Sequence, residues 1–185
     1  FGVPEVWVRQ GTYNEQVRLR DGVAVYGGFA GTESALLERR LDFNGSSALL
    51  FGGSSALDHC VVLSSVSFSR LDGFVVSGGT AVGGGEASRG GGIYAANADQ
   101  TNVIANCRIT GNTAADYGGG LYCSQASPRI ENCEIVGNTS LTGQGGGAAF
   151  TFLSDARLDA TTIRGNTARF GGGLFIEFSA PEIVN

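Results

Sequence analysis

The sequence predicts an all-β fold, a single-stranded, right-handed parallel β-helix in which one short unit is stacked on copies of itself. Triple glycines recur in steps of 28, 27 and 26 residues, beginning at Gly90, Gly118, Gly145 and Gly171. The sequence Gly-Asn-Thr follows the first three, with its amide at Asn112, Asn138 and Asn166. Between these points, short apolar segments alternate with period two, which is typical of strands and not of helices. A repeat of this length indicates a solenoid.

Composition and charge exclude several other classes of protein. The 185 residues are 42% hydrophobic, which is enough to bury a core, and we expect residues 1–185 to form one domain. Glycine does not recur at every third position, so collagen is excluded. No apolar run approaches the roughly 20 residues that a membrane-spanning helix needs. The 12 basic residues are all Arg and are spread thinly in a chain of net charge −5, so no nucleic-acid partner is predicted.

Strands are also predicted before the first triple glycine. Runs of β-forming residues separated by glycine turns lie at 6–8, 11–19, 23–26, 48–51 and 60–63. Two segments interrupt the pattern, 31–47 and 81–90, and we expect both to be loop excursions. Within the first, Ser34 precedes a sequence that favours one short helical turn or a simple loop. Residues 181–185 repeat the frame of 128–132, so the chain is expected to be an excerpt of a longer protein.

The alternation within each repeat predicts which side chains face the interior. Cys107 and Cys133 share a column with Phe74 and Thr161, and two residues further on a column begins with Ile109. Residues two apart on a strand face the same side, here the core. The intervening Arg108 and Glu134 should be outward neighbours, an ion pair worth roughly 0.2–1 kcal/mol. In-register parallel neighbours rarely have disulfide geometry, so the cysteines are predicted to be packed thiols.

The repeat length and the bend residues define the coil. At about 27 residues per coil, the chain has about seven coils. The right-handed form is favoured because about 98% of β-crossover-β connections are right-handed. Glycine permits tight corners, and the amides of Asn112, Asn138 and Asn166 are expected to stack as a ladder at the bend.

These repeats resemble the right-handed parallel β-helix repeats of the pectin-lyase-like superfamily. Residues 90–185 are also similar in style to the Gly-Gly-Ala-Ile and Phe-x-x-Asn repeats of chlamydial polymorphic membrane proteins. The resemblance implies the fold, and it leaves the activity open because this fold is shared by lyases, hydrolases, esterases, adhesins and binding modules.

The sequence favours a non-catalytic role without deciding it. Residues 11–15 resemble the Gly-x-Tyr-x-Glu segment of pectin methylesterases, but the paired aspartates of those enzymes are not matched. His59 is the single histidine, next to Asp58, and adjacent strand residues point to opposite faces. Glu131 and Asp159 align one coil apart and are fit to contribute to a Ca²⁺ site, although such sites usually have about 6–8 ligands. We therefore assign no catalytic residue, metal ligand or required cofactor.

A row of aromatic residues is the candidate binding site. Tyr94, Tyr122 and Phe175 each follow the inward residue after a triple glycine, so they should face outward, while Tyr117 and Phe170 precede two of the triplets. Coils lie about 4.8 Å apart, which is close to the length of one sugar in an extended β-linked glycan. Aromatic faces bind sugar rings well, although aromatic ladders also stabilise β-helices without any ligand.

The sequence therefore predicts a carbohydrate-binding module for an extended plant or microbial cell-wall polysaccharide, such as a xylan or pectin-type glycan. We expect it to be a monomeric part of a larger secreted or cell-surface bacterial chain that also carries a glycan-degrading enzyme. Two alternatives remain open. One is a surface adhesin or passenger β-helix, and the other is a polysaccharide lyase or hydrolase whose catalytic residues lie partly outside this segment.

Overall fold

The computed structural model describes residues 3–41 and 59–184 in full, and only the backbone of residues 47–50. In chain order, the strands begin with β1 (Glu5–Arg9), β2 (Thr12–Asn14), β3 (Val17–Arg18), β4 (Ala24–Phe29), β5 (Ser47–Leu50), β6 (Val61–Ser64), β7 (Arg70–Asp72), β8 (Phe74–Ser77), β9 (Thr80–Ala81), β10 (Ile93–Ala96) and β11 (Val103–Ala105). They continue with β12 (Arg108–Thr110), β13 (Thr113–Ala114), β14 (Leu121–Ser124), β15 (Arg129–Glu131), β16 (Glu134–Val136), β17 (Thr139–Ser140), β18 (Ala148–Thr151), β19 (Arg157–Asp159), β20 (Thr162–Arg164), β21 (Leu174–Glu177) and β22 (Glu182–Val184). Short 3₁₀ turns lie at Leu36–Glu38 and Gly85–Ser88.

The strands form three long parallel sheets and one short corner sheet. The first sheet has the order β1-β4-β7-β11-β15-β19-β22, the second β2-β5-β8-β12-β16-β20, the third β3-β6-β10-β14-β18-β21, and the corner sheet β9-β13-β17. In the glycine-rich repeats the chain passes through the first, second, corner and third sheets, and then returns to the first sheet one strand further on. The predicted parallel β-helix is therefore confirmed.

The predicted early elements lie close to their expected places. The strands at 6–8, 23–26 and 60–63 correspond to β1, β4 and β6, and part of 11–19 forms β2 and β3. The segment predicted at 48–51 forms β5, with Phe51 outside the described residues. The helical turn after Ser34 is the 3₁₀ turn Leu36–Glu38, and the Ser34 N–H donates to the Glu38 carboxylate at 2.7 Å.

The inward columns are confirmed. Ile109 pairs in register with Ile135, and both are fully buried in the main core together with Cys107 and Cys133. All four cysteines are buried free thiols. A hydrogen bond with Cys107, and then burial, raises the pKa of the Cys133 thiol well above its usual value. The Cys133 thiol therefore stays protonated, and the buried cysteines pack as small hydrophobic side chains.

The outward pair between the cysteine and isoleucine columns is also confirmed. Arg108 Nε lies 3.6 Å from the Glu134 carboxylate, and both side chains are about one third exposed. Solvent screens an ion pair at this exposure, so its contribution to stability stays within about 1 kcal/mol.

The first three triple glycines each have two separate steric roles. The first residue has a positive φ, as at Gly118 (62°), which side chains disfavour. The second and third residues lie against the next coil. A Cβ on Gly119 would stand 2.4 Å from the Thr139 carbonyl oxygen, and one on Gly120 would stand 2.6 Å from that of Gly147. Only glycine lets consecutive coils approach this closely.

The asparagine ladder is present, and its members Asn112 and Asn138 are buried. Asn112 Nδ2 donates to Asn138 Oδ1 at 3.0 Å, and Asn138 Nδ2 donates to Asn166 Oδ1 at 3.0 Å. Each Oδ1 also accepts a backbone N–H from the preceding coil, as Asn138 Oδ1 does from Asn112 at 3.1 Å. The positive φ at this bend belongs to the glycine before each amide, such as Gly137, and not to the asparagine.

A buried carboxylate anchors residues 31–41, the described part of the first excursion. Asp72 accepts from Arg39 Nη2 at 2.7 Å, from Arg70 Nη2 at 2.7 Å and from Asn106 Nδ2 at 2.8 Å. The guanidinium of Arg39 also lies 5.0 Å from the ring centroid of Tyr26. Because both guanidinium groups and the amide neutralise and solvate the buried charge, these contacts fix the excursion to the end of β7 in the first sheet.

Candidate functional site

The aromatic row lies on the outer surface of the third sheet. The register Val62–Tyr94–Tyr122–Ala149–Phe175 runs through five consecutive strands, as predicted from the repeats. These side chains form a second apolar cluster that is separate from the main core, with Tyr117 and Phe175 packed at its margin. The structure thus places Tyr94, Tyr122, Tyr117 and Phe175 together.

The expectation that Tyr94 and Tyr122 present their faces to solvent is wrong. Tyr94 is only 5% exposed and Tyr122 only 1% exposed. The cause is the excursion at 81–90, which folds back over the sheet. Its Glu86 carboxylate hydrogen-bonds to the Tyr94 hydroxyl, and its Arg89 guanidinium lies over Tyr122. A loop outside the repeat pattern therefore covers two of the five aromatic residues in the row.

Tyr94 lies between two other rings. Its centroid is 4.8 Å from that of His59 and 5.8 Å from that of Tyr122, and both pairs are stacked. His59 is held by a contact of 3.0 Å between its Nδ1 and the Gly90 carbonyl oxygen. Burial, followed by the negative charge of Glu86, raises the pKa of the Tyr94 phenol above its usual range. Tyr94 is therefore a neutral hydrogen-bonding group at any physiological pH.

Arg89 is the cation of this cluster. Its Cζ lies 5.5 Å from the Tyr117 centroid and 5.6 Å from the Tyr122 centroid, within cation–π range. Its Nη1 is 3.4 Å from the Tyr122 hydroxyl, which also accepts from Thr151 Oγ1 at 2.9 Å. The Nε of Arg89 is buried without a hydrogen-bond partner in the described part of the chain. The ring faces of Tyr117 and Tyr122 stabilise the charge of Arg89, and Arg89 in turn holds Tyr117 in place.

The accessible part of the row is its margin, Tyr117, Phe170 and Phe175, which we call the aromatic rim. Tyr117 and Phe175 are partly exposed, with ring centroids 5.8 Å apart at 50°. Phe170 is 54% exposed, and the Arg169 guanidinium lies 5.2 Å from its ring. Tyr117, Gln144 and Phe170 are in parallel register on successive coils. The rim thus runs along the stacking axis.

Charged groups border the rim. Burial, and then the negative charge of Glu177, raises the pKa of Tyr117, so its hydroxyl stays protonated near neutral pH. Gln144, between Tyr117 and Phe170, is partly exposed. The rim therefore combines apolar ring faces with hydrogen-bonding groups at their edges, which is the chemistry of a surface that binds sugar hydroxyls and C–H faces.

The carboxylate pair considered for Ca²⁺ is engaged elsewhere. Glu131 and Asp159 are in register, but Glu131 pairs with Arg129, and Asp159 pairs with Arg157 at 3.4 Å. Within residues 3–41 and 59–184, no group of three or more His, Cys, Asp or Glu side chains is arranged to hold a metal ion. Asp58, the neighbour of His59, lies outside the described residues.

Sequence reasoning missed Arg89, Glu86, Gln144 and His59 as members of this cluster. Arg89 and Glu86 belong to the excursion at 81–90, whose length has no counterpart in the other repeats. Gln144 and Arg89 were detectable in principle, because each immediately precedes a triple glycine, as Tyr117 and Phe170 do.

Comparison with known proteins agrees with this architecture. A family model described as a right-handed beta helix region matches residues 22–185. The chain therefore belongs to the right-handed β-helix family. Neither the search of curated proteins nor the search of solved structures finds a match. Within the described residues, no helix is long and apolar enough to cross a membrane.

Proposed function

We propose that this β-helix is a non-catalytic carbohydrate-binding module that holds an extended plant or microbial cell-wall polysaccharide, such as a xylan or pectin-type glycan. The observation that carries the proposal is the aromatic rim. Tyr117 and Phe170 lie two coils apart, a separation of about 10 Å along the axis, with Gln144 between them. This spacing suits alternate sugars of an extended chain that lies along the coils.

In this proposal, the buried tyrosines support the rim and do not contact the glycan. Tyr94 and Tyr122 position Arg89, whose guanidinium packs against Tyr117. A ligand platform held by packed neighbours loses little conformational freedom on binding. The rim residues Tyr117, Phe170 and Phe175 then stack on sugar rings, and the polar groups beside them bind hydroxyls.

The same proposal extends to the kind of protein that carries this module. The module acts as a monomer within a larger secreted or cell-surface bacterial protein that degrades glycans, and it binds without a cofactor or Ca²⁺. Modest affinity is sufficient there, because tethering raises the effective concentration of the glycan near the enzyme.

Calorimetry with a panel of cell-wall glycans tests this function. Wild-type protein should bind at least one extended glycan. Tyr117→Ala and Phe170→Ala should each weaken binding about two- to tenfold, since an aromatic contact contributes about 0.5–1.5 kcal/mol. The matched control is Phe68→Ala, because Phe68 is 66% exposed at a bend in an earlier coil, outside the rim.

Three outcomes would contradict the proposal. Absence of binding at millimolar glycan would favour the adhesin or passenger alternative. Equal weakening by Phe68→Ala would show that exposed aromatics act non-specifically. Release of reducing ends or unsaturated products, especially if it depends on Ca²⁺, would favour the lyase or hydrolase alternative. Circular dichroism should first establish that each variant retains the β-helix.

A further inference from the structure

A second polar site lies at the other end of the third sheet, around Arg18 and Arg20. Val17 and Leu19 pack against the main core, so alternation along the chain places the two arginines on the outer face. Arg18 is in register with Val62, and the Leu19 N–H donates to the Val62 carbonyl at 3.0 Å. The two guanidinium groups therefore share one surface on neighbouring positions.

These side chains border a shallow pocket of about 190 Å³. Ser64 and Ser65, at the end of β6, also line it. Ser65 has a φ of 53°, which turns the chain out of the strand at this point. Neither serine hydroxyl forms a hydrogen bond in the described part of the chain, so both are available as donors to a ligand.

The arginines at this pocket differ from most others in the described chain. Six other arginines pair with carboxylates, namely Arg39, Arg70, Arg108, Arg129, Arg157 and Arg164, and Arg89 and Arg169 lie against aromatic rings instead. Arg18 and Arg20 are exposed and form no ion pair with the described residues. The one acid in the lining, Asp21, uses its Oδ1 to accept the Ser67 N–H at 2.8 Å. The pocket is thus locally positive in a chain whose net charge is −5.

We propose that this pocket binds a tetrahedral oxyanion, a sulfate or phosphate ester group. Each guanidinium offers a fork of N–H donors that matches two oxygens of such a group. Two guanidinium forks and two hydroxyls line the pocket, and this number of donors suits four oxygens better than the two of a planar carboxylate. The site is independent of the aromatic rim, because four strands separate β3 from β21, which carries Phe175.

NMR titration of the Arg Nε–H signals tests this site directly. Inorganic sulfate and inorganic phosphate should each shift the signals of Arg18 and Arg20 saturably, at ionic strength held constant with sodium chloride. Arg18→Gln and Arg20→Gln should each weaken binding about tenfold or more, since hydrogen bonds to charged groups are strong. The control variant is Arg164→Gln, whose side chain is 60% exposed on the second sheet.

The outcomes separate the possible ligands. Tighter binding of glucose 6-sulfate than of glucose 6-phosphate assigns the site to sulfate esters, and the reverse assigns it to phosphate esters. Acetate that binds as tightly as sulfate overturns the tetrahedral preference. Shifts that sodium chloride reproduces, or equal weakening by Arg164→Gln, overturn the site altogether. None of these results depends on glycan binding at the aromatic rim.

Discussion

Asn138 is the position at which the contribution of the asparagine ladder can be measured most clearly. Its side chain is fully buried, and it forms four hydrogen bonds, to the Ile109 carbonyl, to Asn166 Oδ1, and from the backbone and side-chain nitrogens of Asn112. Asn138→Ala removes all four and leaves the Asn112 N–H buried without a partner. An orphaned donor costs about 1–3 kcal/mol, and each further lost bond costs about 0.5–1.5 kcal/mol. We expect a loss of about 2.5–7.5 kcal/mol in the free energy of unfolding.

Two features keep this measurement free of other causes. The positive φ at the bend belongs to Gly137, so alanine at the next position introduces no backbone strain. Asn14→Ala is the matched control, since Asn14 is exposed on β2, and its cost should stay within about 0.5 kcal/mol.

Urea unfolding followed by circular dichroism and by Trp7 fluorescence gives the free energy of unfolding and shows whether the transition is two-state. If Asn138→Ala costs no more than Asn14→Ala, the ladder does not stabilise the coils.

Three further predictions concern the corners, the buried ion pairs and a buried phenol. Gly119→Ala should prevent stable folding, because the added Cβ would clash with backbone atoms that cannot move away. Gly84→Ala is the control, since its Cβ would point into open space, and it should be neutral or stabilising by up to about 1 kcal/mol. Thermal melts of both variants measure the difference. Asp72→Asn should lower the free energy of unfolding by about 3–5 kcal/mol and speed hydrogen exchange in residues 31–41. The control Asp159→Asn, at a half-exposed carboxylate, should lower it by about 1 kcal/mol or less. Equal losses in the two variants would refute the anchoring role of Asp72. Because the pKa of Tyr94 is raised above the usual value near 10, its neutral form stabilises the fold below pH 10, and this contribution is lost as the pH rises further. Tyr94→Phe should therefore flatten the fall of the urea midpoint above pH 10, and an unchanged fall would contradict this assignment.

The repeat in the sequence was sufficient to predict the coil and its inward columns. Ile109 and Ile135 have the same neighbours in each copy, so the pattern of one coil specifies the next. The Arg108–Glu134 pair and the Asn112–Asn138 bond follow from the same register. Where a residue contacts the equivalent residue of the next coil, the local sequence is enough to predict the contact.

The exposure of the candidate site could not be predicted in this way. Tyr94 and Tyr122 do lie outside the main core, but their burial depends on the excursion that carries Glu86 and Arg89, and the length of this excursion has no counterpart in the other repeats. Positive φ values at Phe68 and Phe152 were also missed, because bulky residues carry no signal for a left-handed bend. Contacts made once, by an inserted loop, leave no periodic trace.

The direction of the hydrogen bonds between coils has a mechanical consequence. Bonds such as Gly119 N–H to the Gly145 carbonyl and Leu121 N–H to the Gly147 carbonyl point along the stacking axis. A force that pulls the two ends apart therefore breaks the hydrogen bonds of a terminal coil first. The inner coils keep their hydrogen bonds until the coil outside them has detached. Each coil that detaches releases about 27 residues, or about 90 Å of extended chain. The domain should lengthen under tension in nearly equal steps, as a series of small yielding elements.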